Sequence, residues 1–205
     1  MDEIVKQGMA KWPNVPSVFG WLSLDRRGHW LIKGERISNT IVADFIGRNY
    51  EHDDLGRWFF QNGPQRVFIS LDYTPYVYRL LWDANPGAVK RMETHTRRAV
   101  THIEGAWIDD AGVVLIESEH GVGLIDDRDL ERLLGCFTDE RGAALTEENI
   151  GAAIEQLQGG MIADLAFTFR GNTVPVAPIT AAEVPARFGY VQRPVQPAGE
   201  EECYC

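Results

Sequence analysis

A set of turns and strand-like segments recurs about 84–88 positions further along the chain, and this spacing limits the folds that the chain can adopt. The matched pairs are "GHWLI" at 28–32 with "GVVLI" at 112–116, "FIG" at 45–47 with "LLG" at 133–135, and "DDLG" at 53–56 with "DERG" at 139–142. Such pairs are typical of one supersecondary unit used twice. The other interpretation is two unrelated α+β segments that share common turn residues, and both remain open at this stage.

Strand and helix signals fill both halves in a similar order. In the first half, "SVFGWLSL" and "HWLIK" flank the polar turn "DRRG", which predicts a hairpin. A helix follows in "ISNTIVADFIGRNY", capped by Ser38 or Asn39, and then three strands, "RWFFQN", "RVFISL" and "YVYRLLW". In the second half, a hairpin in "GAWIDDAGVVLIE" precedes a helix capped by Asp126 or Asp127. An inserted helix capped by Thr146 and a last hairpin come after it.

These signals predict an α+β protein of two related units, each a short antiparallel sheet with one principal helix on it. The first unit, with an N-terminal helix, is expected to span residues 1–92, and the second residues 93–192. Residues 193–205 are rich in proline, glycine and glutamate, and we expect a flexible acidic tail there.

Composition excludes several classes of protein. The formal charge of −10 disfavours nucleic acid as a partner. No apolar run approaches the roughly 18–20 residues of a membrane helix, and the start of the chain has no secretory signal. Cys136, Cys203 and Cys205 are too few for a disulfide framework, so we expect a cytoplasmic protein.

Two motifs resemble cofactor or metal sites, but their chemistry argues against both. "GVGLIDD" follows a strand and precedes a helix, but Asp126 occupies the third glycine position, and its charge would repel a pyrophosphate. Glu117, Glu119 and His120 offer metal-ligand chemistry, yet alternation along a strand turns His120 away from the two glutamates. We therefore predict no metal and no cofactor.

The stretch "DRRGHWLIKG" gathers positive charge around a predicted hairpin. It is either an anion-binding edge or an edge strand whose charges prevent pairing with other strands. In "WFF", Phe59 must face the side of the sheet opposite to Trp58 and Phe60, and that second side must be covered by something. The candidate ligand-binding residues are Arg26, Arg27, His29, Lys33, Trp58 and Phe59.

The run "GHWLIKGERISNTIVADFIGRNYEHDDLGRWFFQNGPQRVFISLDYTPYVYRL" resembles uncharacterised proteobacterial families of unknown function. In these families a tryptophan-bearing hairpin, a helix and further strands form a unit that can occur twice. The resemblance covers about residues 17–82 and carries no catalytic residues. It implies an α+β organisation and a non-enzymatic signalling role.

The leading functional hypothesis is a cytoplasmic interaction or regulatory module. It would bind a protein or a small molecule between the two units, and it could act as a homodimer. The alternative is an enzyme with a dispersed acid–base cluster, for which His29, His52, Asp53 and Asp54 are the candidates.

Overall fold

The computed structural model describes residues 1–12, 15–81 and 91–197. It shows a mixed α+β protein built on two β-sheets, which confirms the fold class in its coarse form. The sheets contain six and eight strands, so they are larger than the short sheets predicted from the sequence. Trp82, Cys203, Cys205 and most of the predicted tail, residues 198–205, lie outside the described residues.

The first sheet is built from the strands that the sequence predicted, together with short additional ones. Its unit also carries two helices, α1 (Glu3–Lys11) and α2 (Thr40–Arg48). The strands are β1 (Val18–Leu24), β2 (Trp30–Ile32), β3 (Glu35–Arg36), β4 (Tyr50–His52), β5 (Trp58–Asn62) and β6 (Gln65–Leu71).

The strand order of this sheet is β3-β2-β1-β6-β5-β4. Its two central strands, β1 and β6, run parallel, whereas the prediction was an antiparallel sheet. Parallel neighbours require a long crossover connection. The chain between β1 and β6 supplies it, because it contains α2 as well as the outer strands.

The second sheet begins with the segment "YVYRLL". Its strands are β7 (Tyr76–Leu81), β8 (Arg91–Thr94), β9 (Ile103–Asp109), β10 (Val114–Ser118), β11 (Gly121–Ile125), β12 (Phe137–Thr138), β13 (Ala166–Phe169) and β14 (Asn172–Ile179). The helices in this part are α3 (Leu130–Leu133), α4 (Glu147–Gln158) and α5 (Val184–Arg187). The order of strands is β12-β13-β14-β9-β10-β11-β7-β8.

Six strands of the second sheet have the same order as the first sheet. When β9 is matched to β1, the order β11-β10-β9-β14-β13-β12 corresponds to β3-β2-β1-β6-β5-β4. The central pair, β9 and β14, is again parallel. The second sheet adds β7 and β8 at one edge, and helix α4 packs on β9 and β14.

One turn geometry occurs four times among the described residues. In each Asp-x-x-Gly turn, the first Asp accepts hydrogen bonds from the amides two and four residues later, and the Gly has a positive φ. The turns begin at Asp25, Asp53, Asp109 and Asp139. The carboxylate mimics a backbone turn, and glycine adopts positive φ without steric cost, which explains the shared sequence.

The chain folds into two compact units whose boundaries differ from the predicted ones. One consists of Met1–Pro75 with the segment from Gly189 onward, and the other of Tyr76–Phe188. The predicted boundary at residues 92 and 93 lies within the second of these. The division comes earlier because β7 pairs with β11 in the second sheet.

The segment from Gly189 onward is held against the first unit by main-chain hydrogen bonds. The amide of Val191 donates to the carbonyl of Gly56 (2.9 Å), and the amide of Leu71 donates to the carbonyl of Gln192 (2.7 Å). Pro194 is buried. The start of the predicted flexible tail is therefore docked as far as Pro194.

The predicted helix caps are confirmed. Asn39 Oδ1 accepts from the amide of Ile41 at the start of α2, and Thr146 Oγ1 accepts from the amide of Asn149 in α4. Asp126 caps a short 3-10 turn, Asp127–Asp129, which is followed by the four residues of α3, so the helix predicted after Asp126 or Asp127 is much shorter than its sequence pattern indicates. Cys136 is buried, and burial raises the pKa of its thiol to about 12.

Candidate functional site

A cavity of about 340 Å³ lies between α2 and one face of the first sheet. Helix α2 packs on this sheet through Ile46 and Phe45. Ile46 is buried, and the ring of Phe45 packs edge-on against that of Phe60, with 5.5 Å between the ring centroids. The lining consists of Val18, Trp21, Leu22, Ile32, Val42, Phe45, Ile46, Phe60, Asn62, Gln65 and Val67.

The strand register explains why these side chains share one face. Residues that pair across antiparallel strands point to the same side of a sheet. Three such pairs line the cavity: Leu22 with Ile32, Phe60 with Val67, and Asn62 with Gln65. The cavity is thus floored by four adjacent strands, with α2 as its roof.

An irregularity in β1 adds Trp21 to the lining. The register with β6 shifts between Val18 and Leu22, and Gly20 within this interval has a φ of 73°. A bulge of this kind re-aims a side chain, so that Trp21 and Leu22, although adjacent, both reach the cavity. The Nζ of Lys33 lies 3.8 Å from the centroid of the Trp21 ring, a cation–π contact.

Among the described residues that line this cavity, none has an ionisable side chain. Asn62 and Gln65 are its two polar members, and Gln65 donates from Nε2 to the carbonyl of Pro16 at 3.3 Å. Val42 and Ile32, which are 40% and 46% exposed, leave the cavity open to solvent. Such a site suits an uncharged, mainly apolar molecule and offers it no acid, base or nucleophile.

The predicted anion-binding edge is divided between two turns. Asp25 holds the first turn, accepting from the amide of Arg27 and contacting His29 Nδ1 at 2.9 Å. The guanidinium of Arg26 lies 4.6 Å from the centre of the Tyr73 ring. Lys33 belongs to the next turn, with a φ of 49°, and its Nζ contacts the cavity residue Trp21.

Trp58 and Phe59 are both buried, on opposite faces of the first sheet. The ring of Trp58 packs against Tyr50 at 4.6 Å on the α2 side. Phe59 packs against Phe68 at 5.8 Å on the other side, where the guanidinium of Arg66 lies over its ring at 4.7 Å. Both side chains are core residues, and neither lines the cavity under α2.

The residues proposed for acid–base chemistry are engaged in local structure. Burial opposes ionisation of Asp53, but hydrogen bonds from Arg57 outweigh this effect and hold the pKa of Asp53 below its usual value. His52 packs on Trp58 at 4.9 Å, and Asp54 is an exposed turn residue. Among the described residues, no hydrogen bond or ion pair joins His29 to this turn.

The glycine-rich strand β11 and the acidic helix start have structural roles. A side chain at Gly123 would collide with the ring of Tyr78, since its Cβ would lie 2.6 Å from Cε2. Asp126 is fully buried; burial opposes its ionisation, yet hydrogen bonds and charge from Arg128 hold its pKa below the usual value. Within the described ranges, no group of three or more His, Cys, Asp or Glu is placed to hold a metal ion.

Replacing Glu117 by glutamine is expected to stabilise the protein at neutral pH. Burial, with a further contribution from the carboxylate of Glu104, raises the pKa of Glu117 above its usual value, while Arg187 acts in the opposite direction. A carboxyl group whose pKa is raised by folding destabilises the folded state as the pH rises above the pKa of the unfolded chain. The effect is complete once the pH also exceeds the pKa of the folded state. Below the pKa of the unfolded chain, about 4.3, both states are protonated and the effect vanishes.

Urea unfolding at pH 7 and at about pH 3.5 checks this expectation. The midpoint of Glu117→Gln should rise relative to the wild type at pH 7 and coincide with it at the lower pH. Glu131→Gln, a substitution of an exposed glutamate, serves as the control. An equal gain at both pH values would contradict the proposed origin of the effect.

Most residues of the cavity could not be recognised from the sequence. Ile41, Val42, Phe45 and Ile46 have the spacing of one apolar helix face, but Ile41 is 77% exposed and Val42 is 40% exposed. The polar members, Asn62 and Gln65, lie at the ends of two adjacent strands and carry no motif. The sequence did carry one signal for a site. The number of apolar residues on α2 is larger than the number that the helix buries.

The fold and the cavity together define the class: a two-sheet α+β protein with an apolar pocket roofed by a helix. A protein-family model, DUF2944, described as "Protein of unknown function (DUF2946)", matches residues 1–195. The chain belongs to this family. No protein with a curated description matches it.

A solved structure shares the fold. A DUF1285 family protein from Silicibacter pomeroyi DSS-3 is similar at a TM-score of 0.52 and 15% identity, over 81% of this chain and 85% of the other. A second DUF1285 family protein, from Shewanella baltica OS155, gives a TM-score of 0.41 and 14% identity over 55% of this chain and 88% of its own. The first likeness shows a common fold. No helix in the described residues is long and apolar enough to cross a membrane.

Proposed function

We propose that this protein is a non-enzymatic, regulatory binding module whose ligand is a small, uncharged apolar molecule held under α2. The observation that carries the proposal is the lining of the cavity, which combines nine apolar side chains with Asn62 and Gln65. Apolar walls supply binding energy, and a few polar groups orient the ligand. The sequence predicts a ligand between the two units; we propose the cavity within the first unit instead.

The size of the cavity favours a small molecule over a protein partner. Its volume of about 340 Å³ falls at the lower end of the range for small-molecule sites, roughly 300–1,000 Å³. A partner helix would need a groove that accepts side chains over several turns. Helix α2, the roof of the cavity, has only nine residues, from Thr40 to Arg48.

The enzyme alternative has less support. General acid–base catalysis needs a titratable group within hydrogen-bond reach of the substrate. In the part of the chain that the structure describes, no His, Asp, Glu, Cys or Lys lines the cavity. His29 and Asp53, from the predicted acid–base cluster, are instead bound to Asp25 and Arg57 in their turns.

We also propose that the two units arose by duplication and that the protein acts in the cytoplasm. The shared strand order, the parallel central pairs and the four Asp-x-x-Gly turns support the duplication. The free, buried thiol of Cys136 is compatible with a reducing compartment. We propose that a ligand bound under α2 in the first unit regulates the association of the protein with a partner protein or with a second copy of this chain.

Binding of N-phenyl-1-naphthylamine, a neutral apolar fluorophore, tests the site. The fluorescence of this probe is expected to rise when it binds the wild-type protein. Val42→Trp places an indole at the partly open side of the cavity and should weaken binding by roughly tenfold or more, since the ring would occupy ligand space. Fluorescence titration of the full chain measures both affinities.

Ile41→Trp is the matched control, because it adds the same ring one position earlier on α2, outside the lining. It should leave the affinity unchanged. Equal losses in the two variants, or no binding by the wild type, would contradict the proposal. Light scattering measures the oligomeric state of the same proteins. If the wild type is a dimer that Val42→Trp dissociates and Ile41→Trp does not, the surface is an interface between two copies, which would also contradict the proposal.

A further inference from the structure

The opposite face of the first sheet carries a second cavity of different chemistry. Gln61 on β5 is directly opposite Arg66 on β6. The neighbouring pairs on either side of them line the first cavity, so the side chains of Gln61 and Arg66 point to the other face of the sheet. Helix α1 lies on this side: Met9 and Trp12 line the second cavity together with Gln61 and Arg66. The two cavities are therefore separated by the sheet itself.

Helix α1 is fixed to the first unit at several points. Val5 is buried, and Gly8 packs closely on the turn between β5 and β6, where an added Cβ would lie 3.4 Å from Gly63 Cα. The side chain of Arg48 donates to the carboxylate of Asp2 at 3.2 Å. The helix therefore forms a defined wall of the cavity.

The second cavity has a volume of about 390 Å³ and combines apolar, polar and cationic groups. Its lining consists of Met9, Trp12, Val15, Ser17, Gln61, Pro64 and Arg66. None of its described lining residues carries a carboxylate, although the chain has 30 acidic residues and a formal charge of −10. The charged group that lines it is the cation of Arg66.

Gln61 is a buried polar side chain with unused hydrogen-bonding capacity. It is 1% exposed, its Nε2 donates to the carbonyl of Gly63 at 2.9 Å, and its Oε1 has no hydrogen-bond partner. A primary amide carries two N–H groups, so one donor also remains after the bond to Gly63. The remaining N–H is the group that a ligand in the cavity can use, because an anionic oxygen accepts strongly from such a donor.

Two cations beside this cavity have aromatic rather than acidic neighbours. The guanidinium of Arg66 lies over the ring of Phe59 at 4.7 Å, and within the described part of the chain no carboxylate pairs with it. The Nζ of Lys11 lies 4.5 Å from the centroid of the Trp12 ring. A cation–π contact leaves the N–H donors at the edge of a guanidinium available to an anion.

We propose that this second cavity binds a small organic carboxylate with a flat apolar body. The guanidinium of Arg66 forms a bidentate ion pair with the carboxylate, for which its planar geometry is suited. The hydroxyl of Ser17 and the remaining N–H of Gln61 donate hydrogen bonds to the carboxylate, and the body packs against Trp12 and Met9. Inorganic phosphate would leave these apolar walls without a contact.

Titration of the full ¹⁵N-labelled protein with phenylacetate tests the site. Amide shifts are expected along Met9–Trp12 and Gln61–Arg66, with saturation at a defined Kd. Phenylacetamide, its uncharged counterpart, and inorganic phosphate should each bind roughly tenfold more weakly or not at all. Equal affinity for phenylacetamide would overturn the role of the charge, and equal affinity for phosphate would overturn the role of the apolar walls.

Two variants of Arg66 and one matched control complete the experiment. Arg66→Gln should abolish phenylacetate binding, and Arg66→Lys, which keeps the charge but not the bidentate geometry, should weaken it. Arg36→Gln makes the same change of charge at an exposed position of β3 and should leave the Kd unaltered. Retained affinity in Arg66→Gln, or wild-type affinity in Arg66→Lys, would overturn the proposal, whatever the result for the neutral probe under α2.

Discussion

Gly56→Ala is expected to lower the free energy of unfolding by about 2–5 kcal/mol. Gly56 has a φ of 71°, a conformation that costs an L-residue roughly 1–2 kcal/mol. In addition, a Cβ at this position would lie 2.1 Å from the carbonyl oxygen of Gly189. This neighbour is backbone and cannot rotate away, so the segment from Gly189 onward must move, at a further cost of about 1–3 kcal/mol.

Gly142→Ala is a matched control for this prediction. Gly142 ends the equivalent Asp-x-x-Gly turn at a φ of 81°, and no atom lies within 4 Å of its ideal Cβ position. Its substitution therefore measures the conformational cost alone, about 1–2 kcal/mol. Urea unfolding gives both values, and equal losses in the two variants would show that the contact with Gly189 contributes nothing.

Hydrogen exchange provides a local readout for the same variant. The amide of Leu71 donates to the carbonyl of Gln192, so displacement of the C-terminal segment should accelerate exchange at Leu71. In Gly142→Ala this amide should exchange as in the wild type. Unchanged protection of Leu71 in Gly56→Ala would contradict the displacement.

Asp129→Ala is expected to cost about 3 kcal/mol. Asp129 is 2% exposed and accepts from the side chain of Arg79 (2.8 Å) and from the amide of Leu80 (2.9 Å). Removing one partner of a buried ion pair typically costs about 3–5 kcal/mol, and partial exposure of Arg79 places this pair at the lower end. The amide of Leu80 would also lose its acceptor in a buried position.

Asp129→Asn and Glu131→Ala separate the contributions. The asparagine keeps an acceptor for the Leu80 amide but removes the charge. Asp129→Asn should therefore lower the free energy of unfolding by less than Asp129→Ala does. Glu131 is exposed two residues later, and its substitution should change the free energy of unfolding by less than about 0.5 kcal/mol. Similar losses in Asp129→Ala and Glu131→Ala would refute the structural role of this carboxylate.

Local features of this fold could be read from the sequence because they depend on a few adjacent residues. Asn39 and Thr146 cap their helices as predicted, since a cap is defined within four residues. The Asp-x-x-Gly turns are equally local. The alternation in "WFF" correctly placed Phe59 opposite to Trp58.

Long-range pairing and the cavities could not be predicted in the same way. The alternation of residues within β1 and β6 does not specify that they run parallel, nor that β7 joins the second sheet. The cavity under α2 depends on the bulge at Gly20 and on the distance between a helix and a sheet. The site of Arg66 depends on α1, which is far from it in sequence.

The docking of the segment from Gly189 onward has a consequence for biosynthesis. The first unit lacks the main-chain partners of Gly56 and Leu71 until that segment is present. On the ribosome, residues 76–188 are translated before it, so the second unit can fold while the first is still incomplete. The first unit begins to be translated first, but it is the last to complete its fold.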